Sequence, residues 1–332
     1  MKNKQKKVLS AIQPSGELTL GNYMGSIQSW KKMLDQFECV FFVADLHAIT
    51  VRQDPIKFNE NIFKVYALLL ACGIDLNKCI FFVQSHVHEH AELGWILDCF
   101  SPVGELSRMT QYKDKSQKNS ENVNAGLLTY PSLMAGDIVL YDADLIPVGK
   151  DQTQHLEFTR NIAIRFNGIY GQTFVVPEGF IPEVGAKIMS LKEPDKKMSK
   201  SGDPDSCIFI LDDPDSISKK IKRAVTDSGS EVKFTDQELT GINNLMVIYS
   251  ALSGISLSDV ESEFNGKGYG VFKSAVAELV INKFSPIQSE FKRIIKDKQF
   301  LIDQFRINAD KASSIASKKL RIVKEKMGYV NL

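Results

Sequence analysis

The sequence predicts an α/β protein in which a Rossmann-like parallel-sheet domain precedes an all-helical C-terminal domain. Short continuous apolar runs rich in Val, Ile and Phe recur in the first half, at residues 8–12, 39–44 and 79–83. Runs of that length without alternation read as strands buried on both faces. Helical patterns lie between them, so strand, helix and strand follow at the spacing of right-handed βαβ units. From about Asp213 no strand-like run survives, and apolar residues recur at helical spacing instead.

The first strand, residues 8–12, runs into Gln13-Pro14-Ser15-Gly16-Glu17-Leu18-Thr19-Leu20-Gly21-Asn22. Small residues stand there where a strand hands over to a helix N-terminus. Unpaired N–H groups and the positive end of the helix dipole make such a turn a place for phosphate. A tight turn alone explains Gly16 and Gly21 equally well. After the second strand, Asp54-Pro55 forms an N-cap and first-turn pair. Ile56, Ile62, Phe63, Tyr66, Leu69 and Leu70 then line one side of a helix that stops at Gly73. The third strand leads to His86-Val87-His88-Glu89-His90, whose alternate imidazoles could converge on a metal. We read this string as a polar strand-to-helix turn with exposed imidazoles. Leu145-Ile146-Pro147-Val148 adds a strand before a helical segment at residues 152–166.

A lysine-rich string, Lys197-Met198-Ser199-Lys200-Ser201, follows, and Pro194, Gly202, Pro204 and Pro214 around it mark a hinge. The expected division is residues 1–205 and 206–332. The second part carries helical stripes such as Val271, Phe272, Ala275, Val276, Leu279 and Val280, then Ala312, Ile315, Ala316, Leu320 and Val323.

At 332 residues and 43% hydrophobic content, the chain can bury a sizeable core in each part. Net charge is +1, so no global field draws it to nucleic acid, and DNA is not an expected partner. RNA contact would use local patches: the leader Lys2, Lys4, Lys6 and Lys7, then Lys219-Lys220-Ile221-Lys222-Arg223, then Lys318-Lys319-Leu320-Arg321. Each also reads as a solvated face. Five cysteines, an odd number without a C-x-x-C pair, fit free thiols in a reducing cytoplasm. The apolar run at 8–12 is too short for a signal peptide, and no stretch approaches a membrane span. A soluble cytoplasmic protein without a membrane partner is expected.

The glycine turn and the lysine loop together form the two halves of an ATP site. The pair resembles the class I aminoacyl-tRNA synthetases, with Thr19-Leu20-Gly21-Asn22 as a variant of the HIGH motif and Lys197-Met198-Ser199-Lys200-Ser201 as KMSKS. Further strings narrow the resemblance to the bacterial tryptophanyl-tRNA synthetase family. They are Ile12-Gln13-Pro14-Ser15-Gly16, Asp45-Leu46-His47-Ala48-Ile49-Thr50, Gly126-Leu127-Leu128-Thr129-Tyr130-Pro131, Gly149-Lys150-Asp151-Gln152 and Gly266-Lys267-Gly268-Tyr269-Gly270. The likeness covers about residues 8–330. It implies activation of tryptophan by ATP, transfer to tRNA(Trp), a homodimer, and an anticodon-reading helical part.

Activation needs positioning and charge stabilisation, because the substrate carboxylate attacks the α-phosphorus while pyrophosphate leaves. Lys197 and Lys200 are the cations expected to carry it, with Ser199 and Ser201 donating to phosphate. By resemblance Lys115 reaches the phosphates from a closing segment at residues 113–124; a solvated loop lysine is the other reading. Mg²⁺ arrives on ATP, since no carboxylate cage is visible and no protein-held metal is expected. Gln13, Pro14, Ser15, Gly21 and Asn22 would line the adenine and phosphate side, with Met198 in the loop above. Gly149, Lys150, Asp151 and the backbone at Ile188 would hold ribose and adenine; Asp151 reads also as a helix N-cap. Tryptophan offers one side-chain donor, its indole N–H, so a selective pocket needs one buried acceptor in an apolar wall. Asp137 fits, with Met134 and Tyr130 three and seven residues earlier on the same helical face. A structural carboxylate between helices is the competing reading. His47, Gln152 and Tyr130 would frame the amino and carboxylate groups. Three departures from the family pattern stand out: Leu9 and Ala11 at positions more often Phe and Gly, and Lys150 where Glu is usual. A tyrosyl-type synthetase, a small-molecule nucleotidylyltransferase and a non-catalytic binding paralogue are the rival readings.

Overall fold

A computed structural model describes residues 5–118, 123–149, 152–180, 187–199, 203–227, 229–235 and 241–330. Five parallel strands form one sheet in the order β3-β2-β1-β4-β5: β1 Lys7–Ile12, β2 Glu38–Val43, β3 Cys79–Val83, β4 Leu145–Pro147 and β5 Glu178–Phe180. Val8 stands beside Cys39 on one side and Leu145 on the other, so β1 is central. Val40, Phe41, Phe42, Phe81 and Phe82 are fully buried, as a sheet covered on both faces requires. Sequence order runs outward from β1 through β2 to β3, then reverses through β4 to β5. Such a reversal opens a crevice at the carboxyl ends of β1 and β4. The edge strand β5 carries no apolar run, which is why periodicity does not reveal it: Glu178 and Gly179 are exposed.

The first helix, α1, spans residues 20–33 as Leu20–Asn22, a π-helical stretch Tyr23–Ile27, and Gln28–Met33. Thr19 caps it through a reciprocal box with Asn22. Trp30 stacks on Phe41 at 4.2 Å and donates its Nε1–H to Ser10 Oγ at 3.0 Å, pinning α1 to β1 and β2. Helix α2, Pro55–Ala71, begins at the expected cap, where Asp54 accepts the Lys57 N–H. Its exit at Gly73 has φ +97°, a conformation that favours glycine.

Helices α3, Glu89–Asp98, and α5, Ala125–Leu140, follow the third strand with α4, Thr110–Lys118, between them; α6 is Thr153–Tyr170. Glycines bring α3 and α5 close together. A Cβ on Gly136 would stand 3.3 Å from the Gly94 backbone nitrogen. Beyond residue 213 the described residues contain helices and no strand: α7 Pro214–Arg223, α8 Gly241–Ser253, α9 Leu257–Phe264, α10 Gly268–Lys296 and α11 Lys298–Met327. Apolar packing is continuous between the sheet and the helical part. Phe272, Val280 and Phe284 share a cluster with Val8 and Phe41, and α11 returns to bury Ala312, Ala316 and Val323 with Phe42 and Phe82.

Two of the basic patches are altered by folding. Lys220 is buried, with its ammonium 2.7 Å from Asp212, and Lys319 pairs with Asp142 at 2.7 Å and donates to the Thr173 carbonyl. Both lysines therefore hold the fold together instead of facing outward. Lys2 and Lys4 of the leader lie outside the described residues. Cys39, Cys72, Cys79 and Cys207 are buried, Cys99 is exposed, and all five are free. Among the described residues no helix is long and apolar enough to cross a membrane.

The histidine string needs one correction. His86 and His88 are exposed in the expected turn, but His90 has no solvent exposure. It lies in the first turn of α3, on the face that also carries Leu93 and Leu97, and that face packs against the sheet and α5.

Candidate active site

A cavity of about 420 Å³ opens at the reversal point. Leu9, Ala11 and Gln13 reach it from β1 and its turn, and His47 from the short helix Asp45–Ala48 after β2. Tyr130, Met134 and Asp137 enter from α5. Val148, Gly149 and Gln152 close the β4 side, and Lys197 stands at the mouth. The three α5 residues share one helical face, so a single element supplies the floor.

Asp137 is 2% exposed and accepts three hydrogen bonds. Gln84 Nε2 donates to Oδ1 at 2.8 Å, His90 Nδ1 lies 2.6 Å from the same oxygen, and His47 Nε2 lies 2.7 Å from Oδ2. Burial alone pushes this carboxyl up, yet His47 and His90 outweigh it and bring the pKa down to about 2. Asp137 is therefore ionised at neutral pH. A carboxylate has about four acceptor positions, so one on Oδ2 remains beside the cavity. Leu9, Phe42, Met134, Ile138, Ile146 and Val148 supply apolar surface to the same cavity, alongside polar residues such as Gln13, Gln111 and Gln152. A flat apolar group with one N–H donor satisfies both features at once.

Tyr130 is fixed from below: its hydroxyl is 2.7 Å from His155 Nε2 and donates to Gln111 Oε1 at 3.3 Å. Burial pushes its phenol up to about 12, so it stays protonated.

The glycine turn and the lysine loop meet. Met198 donates its N–H to the Ile188 carbonyl at 2.9 Å, and Met189 bridges to Lys197. A Cβ on Gly21 would lie 3.7 Å from Met198 Cβ and 3.9 Å from Ile188 Cβ. Side chains of the loop thus lie directly over the start of α1. The donor set there is smaller than the sequence implies. Leu20 N–H bonds to the Ile208 carbonyl, Asn22 N–H to Thr19 Oγ1, and Thr19 N–H to Asn22 Oδ1. A segment at residues 208–210, which pairs with Leu18 and Leu20, takes up the Leu20 N–H, and the capping box takes up those of Thr19 and Asn22. Asn22 acts as a capping partner, and positive charge at the mouth comes from Lys197.

Pro14 is buried, Ser15 half-buried and Ser199 exposed beside these elements. Lys150, Asp151, Lys200 and Ser201 lie outside the described residues, as does the side chain of Lys115, whose backbone is in α4. Sequence reasoning missed Gln84, His90, Gln111 and His155. Gln84 had a signal, since it directly follows a fully buried strand at the sheet's carboxyl edge. His90 had one in its spacing from Leu93 and Leu97.

A family model described as tRNA synthetases class I (W and Y) matches residues 1–285. A tryptophan–tRNA ligase of Wolinella succinogenes is 50% identical over 327 residues, 98% of this chain and 99% of that protein. The crystal structure of tryptophanyl-tRNA synthetase from Mycoplasma pneumoniae superposes with a TM-score of 0.89 at 35% identity, covering 98% of each chain. That of the Campylobacter jejuni synthetase, complexed with ADP and tryptophan, gives 0.83 at 36% identity over 97% of this chain and 99% of that one.

Proposed function

The chain belongs to the class I tRNA synthetases of the tryptophan and tyrosine group, and from that premise we propose that it is a tryptophan–tRNA ligase. It joins tryptophan to ATP as tryptophanyl-adenylate with release of pyrophosphate, then transfers tryptophan to tRNA(Trp). The observation that carries the amino-acid choice is the buried, ionised Asp137 in a cavity that also presents the apolar Met134, Ile138 and Val148, with one acceptor position left over.

In this reading the indole N–H donates to Asp137 Oδ2, and the ring lies against Met134, Ile138 and Val148. Phenylalanine brings no donor, so it leaves a buried charge short of a partner and is rejected without editing. Tyr130, Gln152 and His47 frame the α-amino and carboxylate groups. ATP lies between Gln13, Pro14, Ser15 and Gly21 on one side and Ile188, Met198 and Gly149 on the other, with Lys150 and Asp151 at the ribose. Mg²⁺ comes as part of the nucleotide substrate, bound to its phosphates. The carboxylate attacks the α-phosphorus in line. Lys197, Lys200 and Lys115 stabilise the charge on departing pyrophosphate, assisted by Ser199 and Ser201. Leu9 and Ala11 line the cavity, so their departure from the family pattern affects affinity rather than chemistry.

Residues 1–205 carry this chemistry, and residues 206–332 recognise the anticodon, in a cytoplasmic homodimer whose tRNA spans both subunits. Support for the dimer comes from Trp95 and Val103, large apolar side chains that are each 69% exposed. ATP–pyrophosphate exchange tests the whole reading: it should run with tryptophan alone. Exchange with tyrosine, or without any amino acid, overturns it.

A further inference from the structure

Resting on the reading of Asp137 as the indole acceptor, we propose that His90 is the positioning residue for tryptophan selectivity. It aims the carboxylate so that its one remaining acceptor position faces the cavity. His90 is not among the residues that line this cavity and lies on a different helix from Asp137; it reaches the site through the carboxylate and through Phe42, whose ring centroid stands 5.5 Å from its own.

The geometry is a buried chain of three groups. Tyr141 Oη lies 2.8 Å from His90 Nε2, and His90 Nδ1 lies 2.6 Å from Asp137 Oδ1. His90 and Tyr141 are fully buried, so water does not substitute for either bond. Proton placement follows from the partners. An ionised carboxylate has nothing to donate, so Nδ1 carries hydrogen. Burial raises the Tyr141 phenol well above its ordinary value, so the hydroxyl keeps its proton, and with the ring neutral and its hydrogen on Nδ1, Nε2 accepts from that hydroxyl. Tyr141 thereby selects the tautomer of the ring, and the ring selects the oxygen.

That choice has a consequence for the site. Oδ1 is saturated by His90 and Gln84, while Oδ2 holds only His47 among the described residues. Gln84 offers Oδ1 a single anchored bond, because its own Oε1 has no hydrogen-bond partner among the described residues. The His90 imidazole is held at both nitrogens and so fixes the carboxylate plane. The close approach of Gly94 to Gly136 sets the distance at which this bond forms, one turn along α3 from His90 and one residue from Asp137.

The test compares tryptophan with β-(3-benzothienyl)alanine, in which sulfur replaces the indole N–H, by kcat/KM in pyrophosphate exchange. His90→Leu should lower the preference for tryptophan about tenfold or more while leaving the ATP KM unchanged. His90→Asn, whose amide can donate from the position of Nδ1, should restore most of the preference. Tyr141→Phe removes one hydroxyl and little volume, and should lower the preference about two- to threefold; it carries the test if His90→Leu does not fold. An unchanged preference in folded His90→Leu, or in Tyr141→Phe when it stands alone, overturns the proposal. Asp137→Asn separates the two levels. If it lowers the preference and the His90 variants do not, the positioning role fails by itself; if it too leaves the preference unchanged, the indole-acceptor reading is what fails.

Discussion

His47 Nε2 and Asp137 Oδ2 face each other at 2.7 Å across the wall of the cavity, from elements ninety residues apart in sequence. One is held by the turn after β2, where Asp45 accepts the Ser85 N–H at 2.9 Å and ties that turn to the end of β3. The other is held by α5. Their meeting makes a carboxylate that is both buried and charged, which is costly unless several donors converge on it. Such a group is poised to accept one further donor from a ligand.

Asp137→Ala should raise the tryptophan KM about tenfold or more and leave the ATP KM within about twofold, since a hydrogen bond to a charged acceptor is worth about 1.5–3 kcal/mol. Steady-state exchange kinetics with each substrate varied in turn check this. Equal effects on both constants would mean that the carboxylate is purely structural.

Acid should weaken the fold through the same residue. The folded-state pKa of Asp137 is depressed to about 2, below its ordinary value of 3.8, so its contribution is present above that value and is lost as pH falls toward 2. The contribution is on the order of 2 kcal/mol. Denaturant titrations at pH 5 and pH 3 should show a smaller acid-induced loss in Asp137→Asn than in the parent protein.

Lys197→Ala and Lys200→Ala should each depress the exchange rate with little change in tryptophan affinity measured by equilibrium binding. Lys197 lines the cavity mouth, and its neighbour Met198 packs over Gly21. Normal turnover in both variants would place the phosphates elsewhere.

Gly136→Ala should cost about 1–3 kcal/mol of stability, because the added methyl meets the Gly94 backbone, which cannot rotate away as a side chain can. It should also weaken tryptophan binding, since α3 carries His90. Chemical denaturation and the tryptophan KM read the two effects separately.

Trp95→Glu should shift the protein toward monomer in sedimentation equilibrium, by placing a charge on an exposed apolar surface. A variant that remains dimeric would assign the interface to another face.

Local signals were sufficient for much of this molecule. The buried runs at 39–44 and 79–83, the Asp54-Pro55 cap and the stop at Gly73 are each dictated within a few residues, and the structure has them within one residue of the expected bounds. The Tyr130, Met134 and Asp137 face was equally legible, because helical period alone aligns it. Edge strand β5 was not, since its residues bury little and leave no apolar trace.

By itself the chain determined its buried strands, the helices with a clear apolar stripe and many of the groups that reach the crevice, because those depend on short-range periodicity and capping. Only the tertiary structure decided that His90 faces inward, that Lys220 and Lys319 are bound within the fold, and that the Leu20 N–H at the start of α1 is taken by the Ile208 carbonyl. In each case the partner is distant in sequence. Whether a polar group is free or satisfied depends on which elements pack against it, and no local pattern contains that information.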